Sequence, residues 1–127
     1  MTTFRVLYVD DEADIREVAV MSLALDPALD VQNCASGQEA LTVAAAWQPH
    51  LILLDVMMPE MDGPETLARL RASEQTGGIP VVFITARTQA YEIERFLSFG
   101  AVGVIAKPFD PMELAAQARR YLDGRTP

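Results

Sequence analysis

Short runs of β-branched and other apolar residues alternate along this chain with longer segments whose apolar positions recur every three or four residues. Arg5 to Val9, Leu29 to Cys34, Leu51 to Leu54, Val81 to Ile84 and Val102 to Ile105 have the length and composition of strands. Segments near residues 13–25, 37–47, 64–73, 89–99 and 111–122 have helical length and period. Two helix starts are signed. Ser36-Gly37-Gln38-Glu39 and Asp110-Pro111-Met112-Glu113 each place a capping oxygen three residues before a Glu, and the second adds Pro at the first helical position. Leu114, Ala118, Tyr121 and Leu122 then fall on one stripe, as in a helix packed on a sheet. Strands alternating with helices predict an α/β fold with a parallel sheet covered on both faces. The unbroken Leu51-Ile52-Leu53-Leu54 predicts a central strand, because a strand buried on both faces shows no polar alternation.

Composition narrows the class. The 127 residues amount to one domain. Although 50% of them are hydrophobic, no apolar run approaches the roughly 20 residues of a membrane span. The N-terminus lacks the basic region and long apolar run of a secretory signal, which predicts a cytoplasmic protein. The single cysteine, Cys34, cannot form an internal disulfide and is expected as a buried thiol. A net charge of −8 argues against direct nucleic-acid binding, which needs Lys and Arg to meet phosphates.

Open parallel sheets bind ligands at the C-terminal ends of their strands, and the chemically loaded residues fall there. The first strand ends in Asp10-Asp11-Glu12, the third in Asp55, the fourth in Thr85-Ala86 and the fifth in Lys107-Pro108. Carboxylates about 5 Å apart repel by roughly 3 kcal/mol at an effective dielectric of about 20. Protonation or a bound cation relieves that repulsion, and a hard divalent ion with oxygen ligands fits such a set. An acidic run is also what a helix start collects through its dipole, so Asp10-Asp11-Glu12 alone has two readings. Asp55 is different in kind. It follows an apolar strand and precedes Val56-Met57-Met58-Pro59-Glu60-Met61-Asp62-Gly63, and the next helix is expected around Pro64, so it is placed for the cleft rather than for a cap. A carboxylate there can act as a nucleophile and form an aspartyl phosphate. Lys107 supplies a nearby positive charge suited to Asp55 or to a phosphoryl oxygen. Thr85 can donate to a phosphoryl oxygen, and the Lys107–Pro108 bond is a candidate for the cis form.

These residues resemble the receiver domains of two-component response regulators, including the single-domain chemotaxis type, over nearly the whole chain from Val6 to about Leu122. The resemblance rests on Leu7-Tyr8-Val9-Asp10-Asp11-Glu12, on Leu51-Ile52-Leu53-Leu54-Asp55 with the following Val56 to Gly63, on Ile79-Pro80-Val81-Val82-Phe83-Ile84-Thr85-Ala86, and on Lys107-Pro108-Phe109. It implies a flavodoxin-like sheet of strand order 2-1-3-4-5 and one receiver domain over residues 1–127, with a core of about 4–122. No output domain is expected after Leu122, so the chain is expected either to act by docking or to be a receiver cut from a longer protein. It implies that Asp55 accepts the phosphoryl group and that Asp10, Asp11, Asp55 and the backbone carbonyl of Met57 hold Mg2+, with Mn2+ able to substitute. Thr85 would be the switch hydroxyl and Lys107 the salt-bridging lysine. The donor would be a sensor histidine kinase or histidine phosphotransfer protein. The output partner is not specified, and the state is either monomer or phosphorylation-dependent dimer.

One position departs from the family pattern. Three residues before the lysine many receivers carry Tyr or Phe, whose ring turns inward with the threonine; here stands Val104, which has no ring to swing. Helix four carries Tyr91, Phe96 and Phe99; Phe96 reads as core, while Tyr91 and Phe99, eight residues apart, share a face. The resemblance implies Thr85, Ala86, Arg87, Val104 and Pro108 as the switch and tuning positions. Met57 and Arg87, each two residues beyond a site residue, flank the path of attacking water and are expected to slow hydrolysis of the phosphorylated form. Trp47 and the single histidine, His50, lie away from this edge. Three rivals fit less well. A dehalogenase-type phosphatase wants a second acid two residues after the nucleophile, where Met57 stands. Flavin binding wants phosphate-holding donors in the first loop, where Asp10-Asp11-Glu12 would repel a phosphate. A binding module that lost the chemistry would not need all five catalytic positions filled.

Overall fold

Leu51-Ile52-Leu53-Leu54 has no polar residue to offer solvent, and all four side chains lie at 0% exposure in the middle strand of the sheet. The structure, a computed structural model, describes residues 3–124. In chain order it runs β1 (Phe4–Val9), α1 (Ala13–Leu23), β2 (Leu29–Cys34), α2 (Gly37–Trp47), β3 (Leu51–Asp55), α3 (Gly63–Ala72), β4 (Val81–Thr85), α4 (Ala90–Ser98), β5 (Gly103–Ala106) and α5 (Leu114–Leu122). Every strand pair is parallel, in the order β2-β1-β3-β4-β5. This is the α/β arrangement expected from the sequence, with strand limits shifted by at most a residue. Of the terminal run Asp123 to Pro127, residues 125–127 lie outside the described residues.

Successive strand residues point to opposite faces, so each strand feeds two cores. Leu7, Val9, Ile52, Leu54 and Phe83 pack against Ala40, Ala44, Leu67, Leu70 and Phe96 of α2, α3 and α4. Val6, Tyr8, Leu51, Leu53 and Ile84 pack against Ala19, Leu23, Leu114, Ala118 and Leu122 of α1 and α5. Phe96 is buried and meets Phe83 edge-on at 5.3 Å, which places it in the core as expected. Cys34 is a buried free thiol whose pKa is pushed up to about 11 by burial, then by the charge of Glu39.

The helix starts follow local chemistry, with one correction. Ser36 Oγ accepts the Glu39 N–H at 3.1 Å, as the capping pattern requires. Asp110 does not cap Glu113 in the same way. Its Oδ1 takes the Met112 N–H at 2.9 Å, residues 111–113 form a turn, and α5 begins only at Leu114. The short Asp side chain satisfies the nearer donor, so the signal marked a turn leading into the helix. Asp62 caps α3 by accepting the Glu65 N–H at 2.9 Å. Gly63 donates to the Val56 carbonyl at 2.9 Å, and a Cβ there would stand 2.7 Å from the Asp55 carbonyl oxygen. Only glycine lets the first turn of α3 sit this close to the end of β3.

At the opposite end of the sheet His50 closes the β1–β3 pairing. Its N–H donates to the Arg5 carbonyl at 2.8 Å, and its Nδ1 accepts the Arg5 N–H at 2.9 Å. An imidazole nitrogen thus does what a strand carbonyl would do, and only the unprotonated nitrogen can. Burial, then the Arg5 charge, holds the imidazole below its ordinary value of 6.5. The folded state therefore binds fewer protons than the unfolded chain. The contribution is fully present above pH 6.5 and is lost as pH falls through the lower folded value. The stability difference between wild type and His50→Ala, from urea unfolding, should be about 1 kcal/mol near neutrality and shrink as pH falls below 6.5. A difference that ignores pH would show that the Nδ1 bond contributes nothing.

Candidate functional site

Parallel register brings the ends of β1, β3, β4 and β5 to one height. Val9 pairs with Leu54, Asp55 with Ile84 and Thr85 with Ala106, so the residues at and just beyond these positions share one edge. Asp10 is fully buried there. Its Oδ2 accepts from Lys107 Nζ at 3.0 Å and from the Tyr8 hydroxyl at 3.2 Å, and its Oδ1 accepts the Glu12 N–H at 3.0 Å. Asp11 is exposed at the rim. Asp55, the last residue of β3, is 3% exposed, and its Oδ2 is buried without a hydrogen-bond partner. One oxygen from each of Asp10, Asp11 and Asp55 lies within 4.8 Å of the other two. Crowded acidic oxygens of this kind, beside a buried carboxylate oxygen with no hydrogen-bond partner, fit a hard divalent cation.

Charge is divided unevenly between these groups. Lys107 lies 3.5 Å from Asp55 Oδ2 and 3.5 Å from Glu12 Oε1, but its hydrogen bond goes to Asp10. The sequence suggests Asp55 as the lysine's partner; the structure gives Asp10 the shorter contact, 3.0 Å against 3.5 Å. Asp55 is pushed up to about 6 by burial and then by the charge of Asp10; Lys107 and the Met57 N–H pull it back only in part, and Asp11 adds to the rise. Burial also works against the charge on Lys107, but Asp10, Asp55 and Glu12 outweigh it and hold the ammonium above its ordinary value.

Thr85, 2% exposed at the end of β4, accepts the Arg87 N–H on Oγ1 at 3.0 Å, and its carbonyl accepts the Lys107 N–H at 2.9 Å. That second bond fixes the strand end that carries the ammonium. The Lys107–Pro108 bond is cis. Beside Asp55 opens a cavity of about 590 Å³ whose walls include Met57, Thr85, Ala86, Lys107 and Pro108, with Ile15, Val18 and Phe109 as an apolar flank. Met57 projects into solvent at 66% exposure. Arg87 is also exposed and pairs with Glu92 at 3.5 Å.

The structure thus gathers Asp10, Asp11, Asp55, Thr85, Ala86, Lys107 and Pro108 at one edge, with the exposed Met57 on the cavity wall and the exposed Arg87 on the neighbouring groove. Val104 stands apart: half-buried, it packs against the core on the α2–α4 side of the sheet and borders a hollow of about 250 Å³ with Gln117, Arg120 and Tyr121. Tyr91 and Phe99 are exposed and border a groove of about 380 Å³ together with Arg87 and Arg95. Trp47 and His50 lie at the far end of the sheet, where Arg5 stacks over the Trp47 ring at 5.9 Å. Two supporting residues were not singled out by sequence. Tyr8 holds Asp10 from within the core, and Arg16 donates to the Asp10 carbonyl at 2.9 Å and to Asn33 Oδ1 at 3.2 Å. A phenol inside an otherwise aliphatic strand was the available signal for Tyr8, since a buried hydroxyl needs a partner.

A family model described as "Response regulator receiver domain" matches residues 6–119. The DNA-binding response regulator MtrA of Mycobacterium leprae is 37% identical over 118 residues, 93% of this chain and 51% of that protein. The DNA-binding dual master transcriptional regulator RpaA of Synechocystis is 36% identical over 118 residues and is matched over 48% of its length. The chain spans about half the length of the curated relatives it matches. Among solved structures, the chemotaxis response regulator CheY4 of Vibrio cholerae superposes with a TM-score of 0.85 at 32% identity, covering 94% of this chain and 98% of that one. The signal receiver domain of the putative response regulator NarL from Mycobacterium tuberculosis gives 0.87 at 28% identity, over 98% and 100%. With the fold, the strand-end residues and these likenesses in agreement, the chain belongs to the receiver domains of two-component response regulators.

Proposed function

We propose that the protein is a phosphorylation switch in which Asp55 takes a phosphoryl group from a sensor histidine kinase or a histidine phosphotransfer protein. The observation that carries this reading is the buried Asp55 Oδ2, which has no hydrogen-bond donor although a cavity opens beside it. A purely structural aspartate at 3% exposure would have its oxygens satisfied. In the transfer an Asp55 oxygen forms a bond to phosphorus as the P–N bond of the donor phosphohistidine breaks, and the leaving imidazole takes up a proton. Asp10, Asp11, Asp55 and the backbone carbonyl of Met57 would hold Mg2+, or Mn2+ in its place. When bound, the ion supplies the positive charge that phosphoryl transfer requires. Asp10 remains anchored by Tyr8 and the Glu12 N–H, while Lys107 is within reach of a group on Asp55. Thr85 presents its hydroxyl from the adjacent strand end. The apolar flank of the cavity suits a helix carrying the donor histidine. The phosphorylated form would then switch binding to an output partner, as a monomer or a phosphorylation-dependent dimer, without direct contact to nucleic acid. A cytoplasmic location goes with this reading; among the described residues no helix is long and apolar enough to cross a membrane.

Three outcomes are expected. Incubation with acetyl phosphate and Mg2+ should add one phosphoryl group to the wild-type mass, and chelation or Asp55→Asn should abolish it; a variant labelled as well as the wild type would place the acceptor elsewhere. The second outcome concerns stability. The folded carboxyl near 6 binds protons more tightly than an unfolded one near 3.8, so this group's contribution is present below 3.8 and is lost as pH rises through 6. Without divalent ions, Asp55→Asn should exceed the wild type in urea-unfolding stability by about 1–2 kcal/mol above pH 6 and match it near pH 4. Finally, Met57→Gly and Arg87→Ala should each shorten the lifetime of the phosphorylated form, by about threefold to tenfold, as more water reaches Asp55. Loss of the phosphoryl group from the wild type within seconds would refute the shielding.

A further inference from the structure

Glu12 is the acidic residue at this edge that neither the three-carboxylate cluster nor the sheet employs. It occupies the N-cap position of α1, yet its side chain makes no capping hydrogen bond. The side chain turns instead to Lys107, with Oε1 3.5 Å from Nζ, and stays 61% exposed at the wall of the large cavity. Asp55 Oδ2 lies 3.5 Å from the same nitrogen on its buried side. The Glu12 carboxylate therefore stands no more than twice that distance, about 7 Å, from the oxygen that would attack phosphorus. Its backbone N–H is tied to Asp10 Oδ1 at 3.0 Å, so the residue cannot drift from the entrance.

We infer that Glu12 is a charge filter for the phosphodonor, disfavouring small dianionic donors relative to donors of lower charge. The inference rests on Asp55 being the acceptor. With a divalent ion in place, three positive charges counting Lys107 balance Asp10, Asp11 and Asp55, and Glu12 tips the entrance to net negative. At about 7 Å in a medium close to water, one unit charge slows the approach of another by roughly threefold and that of a dianion by roughly tenfold. The carboxylate is at the rim, so added salt screens it. A phosphohistidine delivered on a protein surface brings its own neighbouring charges, whereas a free dianion has none to offset the repulsion.

The test compares acetyl phosphate, a dianion, with phosphoramidate, singly charged near neutrality, at saturating Mg2+. In the first reaction the Asp55 oxygen bonds to phosphorus as the P–O bond breaks and acetate leaves with the electron pair. In the second the P–N bond breaks and ammonia leaves on the nitrogen already protonated. Glu12→Gln should speed incorporation from acetyl phosphate roughly tenfold and from phosphoramidate roughly threefold, and about 0.5 M salt should bring both ratios toward one. Glu12→Asp, which keeps the charge, should behave as the wild type with both donors. Equal acceleration of both donors, or ratios indifferent to salt, would overturn the filter and leave Glu12 as a positioning residue for Lys107. A wild type labelled by neither donor would overturn the acceptor reading itself, together with the filter that depends on it.

Discussion

Three carboxylate oxygens within 4.8 Å of one another, faced by one ammonium, set the terms for the rest of this molecule. Such a group repels itself by roughly 3 kcal/mol per pair at an effective dielectric near 20, so it assembles only because the fold holds it together. The compensation is unequal. Asp10 receives Lys107, the Tyr8 hydroxyl and the Glu12 N–H, while Asp55 Oδ2 receives no hydrogen bond. One aspartate is thereby an anchor, and the other keeps a buried oxygen free of hydrogen bonds. The carboxyl of Asp55 near 6 is the same fact expressed as proton affinity: burial and the Asp10 charge make the anion costly until a cation shares the site.

The parallel sheet is the device that enforces this proximity. Its register aligns four strand ends, and apolar burial on both faces fixes that register, since a slip by one residue would turn every side chain to the wrong core. Local contacts finish the placement. Gly63 lets α3 close against the end of β3, Arg16 ties the β1–α1 loop to β2, and Thr85 holds the backbone of Lys107. At the far end His50 and Arg5 latch β1 to β3, so the two strands that carry Asp10 and Asp55 are fixed along their whole length.

Much of this was legible in the amino-acid order because it depends on local pattern. An all-apolar run followed by Asp55 marks a central strand with a carboxylate at its exit, and Ser36 and Glu39 mark a helix start by spacing alone. What pattern leaves open depends on which strands become neighbours. The preference of Lys107 for Asp10 over Asp55, the Tyr8 hydroxyl on Asp10 and the His50 nitrogen on Arg5 each join residues whose approach is set by register. The start of α5 was misread for a smaller reason: Asp110 satisfies the Met112 N–H in a turn before the helix proper begins. Glu12 was legible as part of an acidic run, but not as the N-cap whose side chain abandons its helix for Lys107.

Val104 constrains how a change at Asp55 can travel. It packs against the α2–α4 core and borders a hollow with Gln117, Arg120 and Tyr121 of α5, and without an aromatic ring it has no second rotamer that would fill or vacate a large volume. Were Thr85 to act as the switch, coupling from it would use what Thr85 touches. Its Oγ1 holds the Arg87 N–H, and Arg87 in turn pairs with Glu92 in the first turn of α4. The start of α4 is lightly fastened, with Gln89 at the N-cap making no side-chain bond. A hydroxyl drawn toward Asp55 would release that N–H and loosen the Arg87–Glu92 pair, moving the wall of the groove that Tyr91 and Phe99 share. If Thr85 switches on phosphorylation of Asp55, the contacts present offer a path through the β4–α4 backbone, since Val104 on β5 has no ring to carry it.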